Sequence, residues 1–249
     1  MKNIDIFNAL AEKYPLETAM EFDNPGFLVG NRQAVCEKVL VALDCDRAAL
    51  QRAKALGCTL IVSHHPVIWA GLKSVTEQDL VFELIESGIA VISMHTNLDS
   101  GADGVNDCLA AAIGLENVRP YRTADGFVTR CGILPRALSA EEFAERLKVA
   151  LHFSPRFTDG GKRIQTVLLC GGSGGNYVDE AVQKGFDALV TADVRHDRFL
   201  AAADCGLSLF DGGHYATEDV VVNPLATWLH ERFPTLQIAA IHPDRIRTV

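Results

Sequence analysis

The chain has 249 residues, 48% of them hydrophobic and 22% charged, with a formal net charge of -9. That is apolar material for one large α/β domain or two of modest size, which excludes a disordered chain. The acidity disfavours a surface devoted to the phosphate backbone of nucleic acid.

The opening MKNIDIFNALAEKYP is amphipathic and carries acids, unlike a signal peptide, and nowhere do about eighteen apolar residues run unbroken. A cytoplasmic protein with no membrane partner is expected. KVLVALDC (38–45) predicts a strand, and DRAALQRAKALG a helix closed by Gly57. CTLIVSHH is the next strand, EQDLVFELIESG a helix, IAVISMHT a third strand and GVNDCLAAAI (104–113) a helix. Periodicity is lost in ENVRPYRTADGFVTR (116–130), which marks a hinge. A second set follows: RCGILPRA, the helix SAEEFAERLKVAL, RIQTVLLCGG, the helix NYVDEAVQKG, ALVTAD, a short helix near 197–203, LSLFDGGH, the long helix EDVVVNPLATWLHERF, and QIAAIHP.

This alternation predicts an α/β protein with two similar lobes, 1–120 and 121–249, each a mostly parallel sheet covered by helices. The final segment is free to pack back on the first lobe. Cys36, Cys45, Cys58, Cys108, Cys131, Cys170 and Cys205 form no C-x-x-C pair, so neither a disulfide frame nor a zinc ribbon is indicated. They read as small buried hydrophobes in a reducing compartment.

The polar residues fall at one edge of this scaffold. His64 and His65 end one strand, His95 and Asp99 follow the next, Asp193 ends a third and His214 a fourth. The carboxyl edge of an open parallel sheet is where ligands sit. A lone histidine there is more often a satisfied core residue, but a pair in IVSHHPVIWA is harder to dismiss. Imidazoles with carboxylates and no nearby thiolate suit zinc, manganese, iron or nickel. Adjacent residues on an extended backbone point to opposite sides, so His64 and His65 call for two ions unless the chain turns. His214 and Glu218, four apart, share a helix face; taken alone they would be a surface ion pair. The cluster CGGSGGN, with Gly171 to Gly175, is either a phosphate-receiving helix start or, more commonly, a turn forced by close packing. His152, His196, His230 and His242 receive no role.

EFDNPGFLVG (21–30), SHHPVIW (63–69), HTNLDS (95–100), TAD (191–193) and GGHYATE (212–218) resemble, in order and spacing, the motifs of the NIF-three-like family, also called GTP cyclohydrolase I type 2 homologues. The resemblance runs essentially from end to end and matches the short form, without an extra central domain. It implies a two-lobed subunit with a dinuclear metal centre between the lobes, in a toroidal homohexamer. The implied ligands of the two divalent ions are His64, His65, Asp99, His214 and Glu218, with Glu218 also catalytic. His95 and Asp193 have no assigned ligand role; orienting a ligand by hydrogen bond and capping a turn are both open to them. Phe22 and Pro25 depart from the family's usual tryptophan and aliphatic residue. Two functions fit: a metal-dependent hydrolase of a small-molecule substrate, with GTP suggested only by the family label, or a metal-handling or partner-binding ring scaffold. Nucleic acid is the disfavoured partner.

Overall fold

Runs such as KVLVA and LIVS become strands because β-branched and leucine side chains are covered on both faces of a parallel sheet. The computed structural model describes residues 1–246, in two units: Met1–Ala102 with the chain from Val221 onward, and Asp103–Val220. Among the described residues, no helix is long and apolar enough to cross a membrane.

In the first unit, α1 (Asn3–Lys13) turns Ile6, Ala9 and Leu10 inward at helical spacing. β1 (Gly26–Val29), β2 (Lys38–Ala42), β3 (Leu60–Ser63), β4 (Ala90–Ser93) and β11 (Gln237–Ala240) form a sheet in the order β1-β4-β3-β2-β11. Its pairings are parallel apart from β1 against β4. α2 (Arg47–Leu56) starts where the Asp46 carboxylate accepts the Ala49 N–H at 2.8 Å and is closed by Gly57. Ala49, Leu50 and Ala53 of α2 and Leu84 of α3 (Leu80–Glu86) cover Leu40, Ile61 and Val91 of the sheet. Burying each of the larger side chains contributes about 1.5–3 kcal/mol. After β4 comes the short helix α4 (Thr96–Ser100).

The second unit opens with α5 (Val105–Ala112). Its sheet holds β5 (Glu116–Arg122), β6 (Val128–Leu138), β7 (Arg156–Thr158), β8 (Ile164–Ser173), β9 (Ala188–Ala192) and β10 (Ser208–Asp211), in the order β5-β6-β8-β9-β10-β7. Only β8–β9 and β9–β10 are parallel among these pairings; β5–β6, β6–β8 and β10–β7 are antiparallel, so this sheet is mixed rather than mostly parallel. α6 (Ala140–Leu151) begins with a reciprocal cap, Glu142 N–H to Ser139 Oγ at 3.1 Å and Ser139 N–H to Glu142 Oε2 at 2.7 Å. It sets Phe143, Leu147 and Leu151 against Leu134, Val167, Val190 and Phe210. α7 (Val178–Gln183), α8 (His196–Asp204) and α9 (His214–Glu218) complete the unit.

Two further sequence expectations change. The segment 116–130 is no loose hinge but the β5–β6 hairpin, turned by Thr123 N–H to Phe127 carbonyl at 2.9 Å. β5 is a largely exposed edge strand containing Pro120, so burial imposes no period on it. The long helix expected over EDVVVNPLATWLHERF is divided by a 3-10 turn at Asp219–Val221, and α10 (Val222–Arg232) starts afresh. Pro224 has no N–H to offer the carbonyl four residues back and is tolerated only in a first turn. α10 and β11 return the chain to the first unit, packing beside β2.

Candidate metal centre

β3 stops at Ser63 because the chain turns: the His64 and His65 amides both donate to the Leu43 carbonyl, at 3.1 and 3.0 Å. Ser63 Oγ donates to the His65 carbonyl at 2.9 Å and lies 2.9 Å from Ser93 Oγ on β4. The two imidazoles therefore do not diverge as extended neighbours would. Their centroids are 4.9 Å apart with planes at 45°, and the His95 ring, just after β4, lies 5.0 Å from His64 and 5.6 Å from His65. One ring nitrogen from each of these three falls within 4.8 Å of the others, a group that could hold a metal ion. Asp99, on α4 and 6% exposed, brings Oδ1 to 3.6 Å from His64 Nε2.

These three imidazoles share one arrangement. His64 Nδ1 lies 3.0 Å from the Met94 carbonyl, His65 Nδ1 2.7 Å from Asp44 Oδ1, and His95 Nδ1 2.8 Å from Asp23 Oδ1. An oxygen acceptor at Nδ1 keeps the proton there, so the neutral ring presents its lone pair at Nε2, as in carboxylate–histidine–metal triads. Asp23 is held in turn by Thr96, whose N–H and Oγ1 donate to Oδ2 at 2.9 and 2.5 Å. Burial alone would push the Asp23 carboxyl up, but the hydrogen bonds from His95 and Thr96 outweigh it and bring it down to about 2. Burial pushes the thiol of neighbouring Cys45 up to about 12, so in the metal-free protein it carries its proton.

In the second unit, α9 begins at His214 and places Glu218 one turn on. His214 Nε2 lies 3.1 Å from Glu218 Oε2 and Nδ1 lies 2.6 Å from Asp193 Oδ2. The hydrogen bond to Glu218 raises the imidazole to about 9, against burial, with Asp193 adding to the rise. At neutral pH this ring carries a proton that a metal ion must displace. Asp193, just after β9, adopts φ 52, a left-handed conformation costing a non-glycine residue on the order of 1 kcal/mol.

The glycine cluster is explained by this pair. The Gly171, Gly172 and Gly174 amides donate to Asn106 Oδ1 at 2.8 Å, Thr217 Oγ1 at 3.1 Å and Thr191 Oγ1 at 2.8 Å. These three donors are committed, so at Gly171, Gly172 and Gly174 close packing rather than phosphate capture accounts for the glycine. A Cβ on Gly172, which sits at φ 63, would collide with Glu218 Oε1 and approach His214 Nε2.

The structure thus brings His64, His65, His95 and Asp99 together in one unit, and Asp193, His214 and Glu218 in the other. His242 instead pairs with Asn223, at 3.1 Å. Sequence reasoning missed Asp23 and Asp44. Asp44 follows β2 at the same carboxyl edge that singled out the histidines, and that rule, applied to acids, finds it. Asp23 lies in EFDNPGFLVG and precedes a strand, so no edge rule points to it.

The chain is 33% identical over 232 residues to the GTP cyclohydrolase 1 type 2 homolog of Streptomyces coelicolor, covering 86% of this chain and 80% of that one. The protein of the same name from Clostridium acetobutylicum is 28% identical over 229 residues, 88% and 85% of the two chains. Among solved structures, a hypothetical protein of Staphylococcus aureus superposes with a TM-score of 0.91 at 28% identity, covering 100% of this chain and 99% of that one. Reduced HcgD from Methanocaldococcus jannaschii gives 0.85 at 28% identity, covering 96% and 97%. With the Duf34/NIF3 (NGG1p interacting factor 3) model matching residues 1–245, the chain belongs to the Duf34/NIF3 family.

Proposed function

We propose that the protein is a dinuclear metal-dependent hydrolase, with His64, His65, Asp99, His214 and Glu218 as ligands of two divalent ions. The observation that supports this most is the buttressing of each imidazole at Nδ1, by Met94, Asp44 or Asp193, a device found where Nε2 serves a metal. His95, buttressed by Asp23 in the same way, is dressed as a ligand more than as a turn cap. A nitrogen and oxygen donor set suits zinc, manganese, iron or nickel. Ions so held would supply Lewis acidity and a nucleophile from water near neutral pH. Glu218, 3% exposed beside His214, would take up the proton of the attacking water at its carboxylate, and Asp193 would keep the His214 Nδ1 proton in place.

The test combines elemental analysis with turnover. Protein loaded with zinc or manganese should hold about two ions per chain, and a panel of phosphoesters, nucleotides and cyclic amides should contain a substrate. Glu218→Gln should keep the fold and lower that turnover by a factor of about 100 or more. Two bound ions with no turnover across the panel would replace the hydrolase with a metal-handling scaffold.

The assembly proposed with this centre is a closed homohexamer of about 160 kDa built from 27.0 kDa subunits. Light scattering should find it, and a stable monomer would remove it. DNA should bind weakly if at all at physiological salt, given the net charge of -9.

A further inference from the structure

Beside His65, within the first unit, lies a cavity of about 350 Å³, the size of a small-molecule site. Its lining divides by chemistry. Pro66, Val67 and Leu80 are apolar, Trp69 is aromatic, and Asp44 and Asp46 are acids; none of the described lining residues is lysine or arginine. Trp69 is 55% exposed, yet its ring is oriented, edge-on to His95 at 5.0 Å and 88°. Asp44 pairs with the His65 imidazole and Asp46 with the Arg245 guanidinium, and an oriented, solvent-facing indole beside carboxylates that take such partners is the combination that attracts flat cations.

The two acids are not equivalent. Asp46 spends Oδ1 on the cap of α2 and Oδ2 on the Arg245 guanidinium at 2.8 Å. That pair shows which chemistry this rim accepts, but leaves Asp46 little capacity for a ligand. Asp44 gives Oδ1 to His65 and keeps 46% of its side chain exposed, so its second oxygen can accept from a ligand. A donor there would pull charge from the oxygen that buttresses His65, linking occupancy of the cavity to a candidate metal ligand.

We propose that this cavity binds a planar N–C–N group bearing N–H donors, an amidinium, a guanidinium or the equivalent edge of an amino-heterocycle, stacked on Trp69 and hydrogen-bonded to Asp44. As a substrate subsite it rests on the hydrolase reading; as a binding site it does not. Cys45 in the lining is no nucleophile, so the cavity recognises and the chemistry lies elsewhere.

Benzamidine is the probe and benzoate its charge-reversed control, titrated against metal-free full-length protein while tryptophan fluorescence is followed. Benzamidine should change the emission with millimolar affinity and benzoate should not. Trp69→Leu, a change at an exposed side chain, should abolish the response that Trp228 cannot supply. Asp44→Asn should weaken benzamidine by about tenfold or more while Asp46→Asn, which retains the helix cap, leaves it within about twofold. Circular dichroism of each variant establishes folding. A flat titration, equal binding of benzoate, or unchanged affinity in Asp44→Asn would overturn the proposal. Metal binding measured on the same preparation separates the readings, because benzamidine binding without metal uptake keeps the subsite and removes the hydrolase, and the converse removes the subsite alone.

Discussion

His95 Nδ1 sits 2.8 Å from Asp23 Oδ1, and the Asp23 side chain has no exposure to solvent. The two residues are 72 apart in sequence, so the bond ties the segment before β1 to the loop after β4. A buried carboxylate persists only when its acceptors are used, and here Thr96 N–H and Oγ1 take what His95 leaves. The pair therefore orients an imidazole and staples a loop at once.

The staple has an acid signature. Asp23 is lowered from its ordinary 3.8 to about 2, so its contribution is present above about pH 4 and lost as pH falls through 2. The shift corresponds to about 2 kcal/mol. Urea unfolding of wild type and Asp23→Asn should differ by at least that much at pH 6, and the gap should shrink as pH approaches 2. A pH-independent difference would show that the carboxylate charge contributes nothing.

Metal uptake should release protons. His214 is raised to about 9, so at pH 7 an ion must displace its proton, and affinity should climb by about tenfold per pH unit toward 9 and then level. Without metal the same shift works on stability: the His214 contribution is full below about pH 6.5 and lost as pH rises through 9. Zinc calorimetry in two buffers of different ionisation heat reads the released proton directly, and none released at pH 7 would contradict ligation by His214.

Gly172→Ala should affect both folding and metal. The new methyl meets Glu218 Oε1 and the backbone is at φ 63, so a loss of about 2 kcal/mol or more is expected, with reduced ion stoichiometry. Gly185→Ala is the control, at φ 74 with nothing within 4 Å of the added Cβ; it should cost only about 1 kcal/mol and leave metal binding alone. Equal effects of the two on ion content would remove the role given to Gly172.

Asp193→Gly should lower metal affinity with little change in stability. Glycine relieves the strain at φ 52, worth up to about 1 kcal/mol, but its greater unfolded-state freedom and the lost pair with His214 offset that gain, and His214 loses the acceptor at Nδ1. Loss of such a partner typically lowers metal affinity by about 10- to 100-fold. Thermal unfolding and a zinc titration on one preparation check both, and unchanged affinity would make Asp193 a turn residue only.

Much of this was legible in the chain. The buried strands β2, β3, β4 and β9 announce themselves as short β-branched runs, and the histidines follow because they stand where those runs stop. What escaped lies where burial imposes no period. β5 is an exposed edge, β7 has three residues, and β1 follows the irregular EFDNP. The turn that brings His64 and His65 together depends on the Leu43 carbonyl, a backbone acceptor from a different strand end, and no side-chain pattern encodes it. Asp23 and Asp44 act through histidines that are distant in sequence, so single-residue reasoning passes over them.

The return of the chain through β11 sets an order on synthesis. β2 emerges early with Val39, Leu40 and Val41 ready to pair, but its neighbour on that side is Gln237–Ala240, nearly two hundred residues later. At translation speeds of about 5–20 residues per second, that edge stays open for on the order of 10 to 40 s while the whole of Asp103–Val220 is made. An unpaired apolar edge of this duration invites chaperone contact or pairing with a neighbouring nascent chain. A circular permutant beginning at Val221, with the old termini joined, would deliver β11 before β2 and close the sheet as it leaves the ribosome.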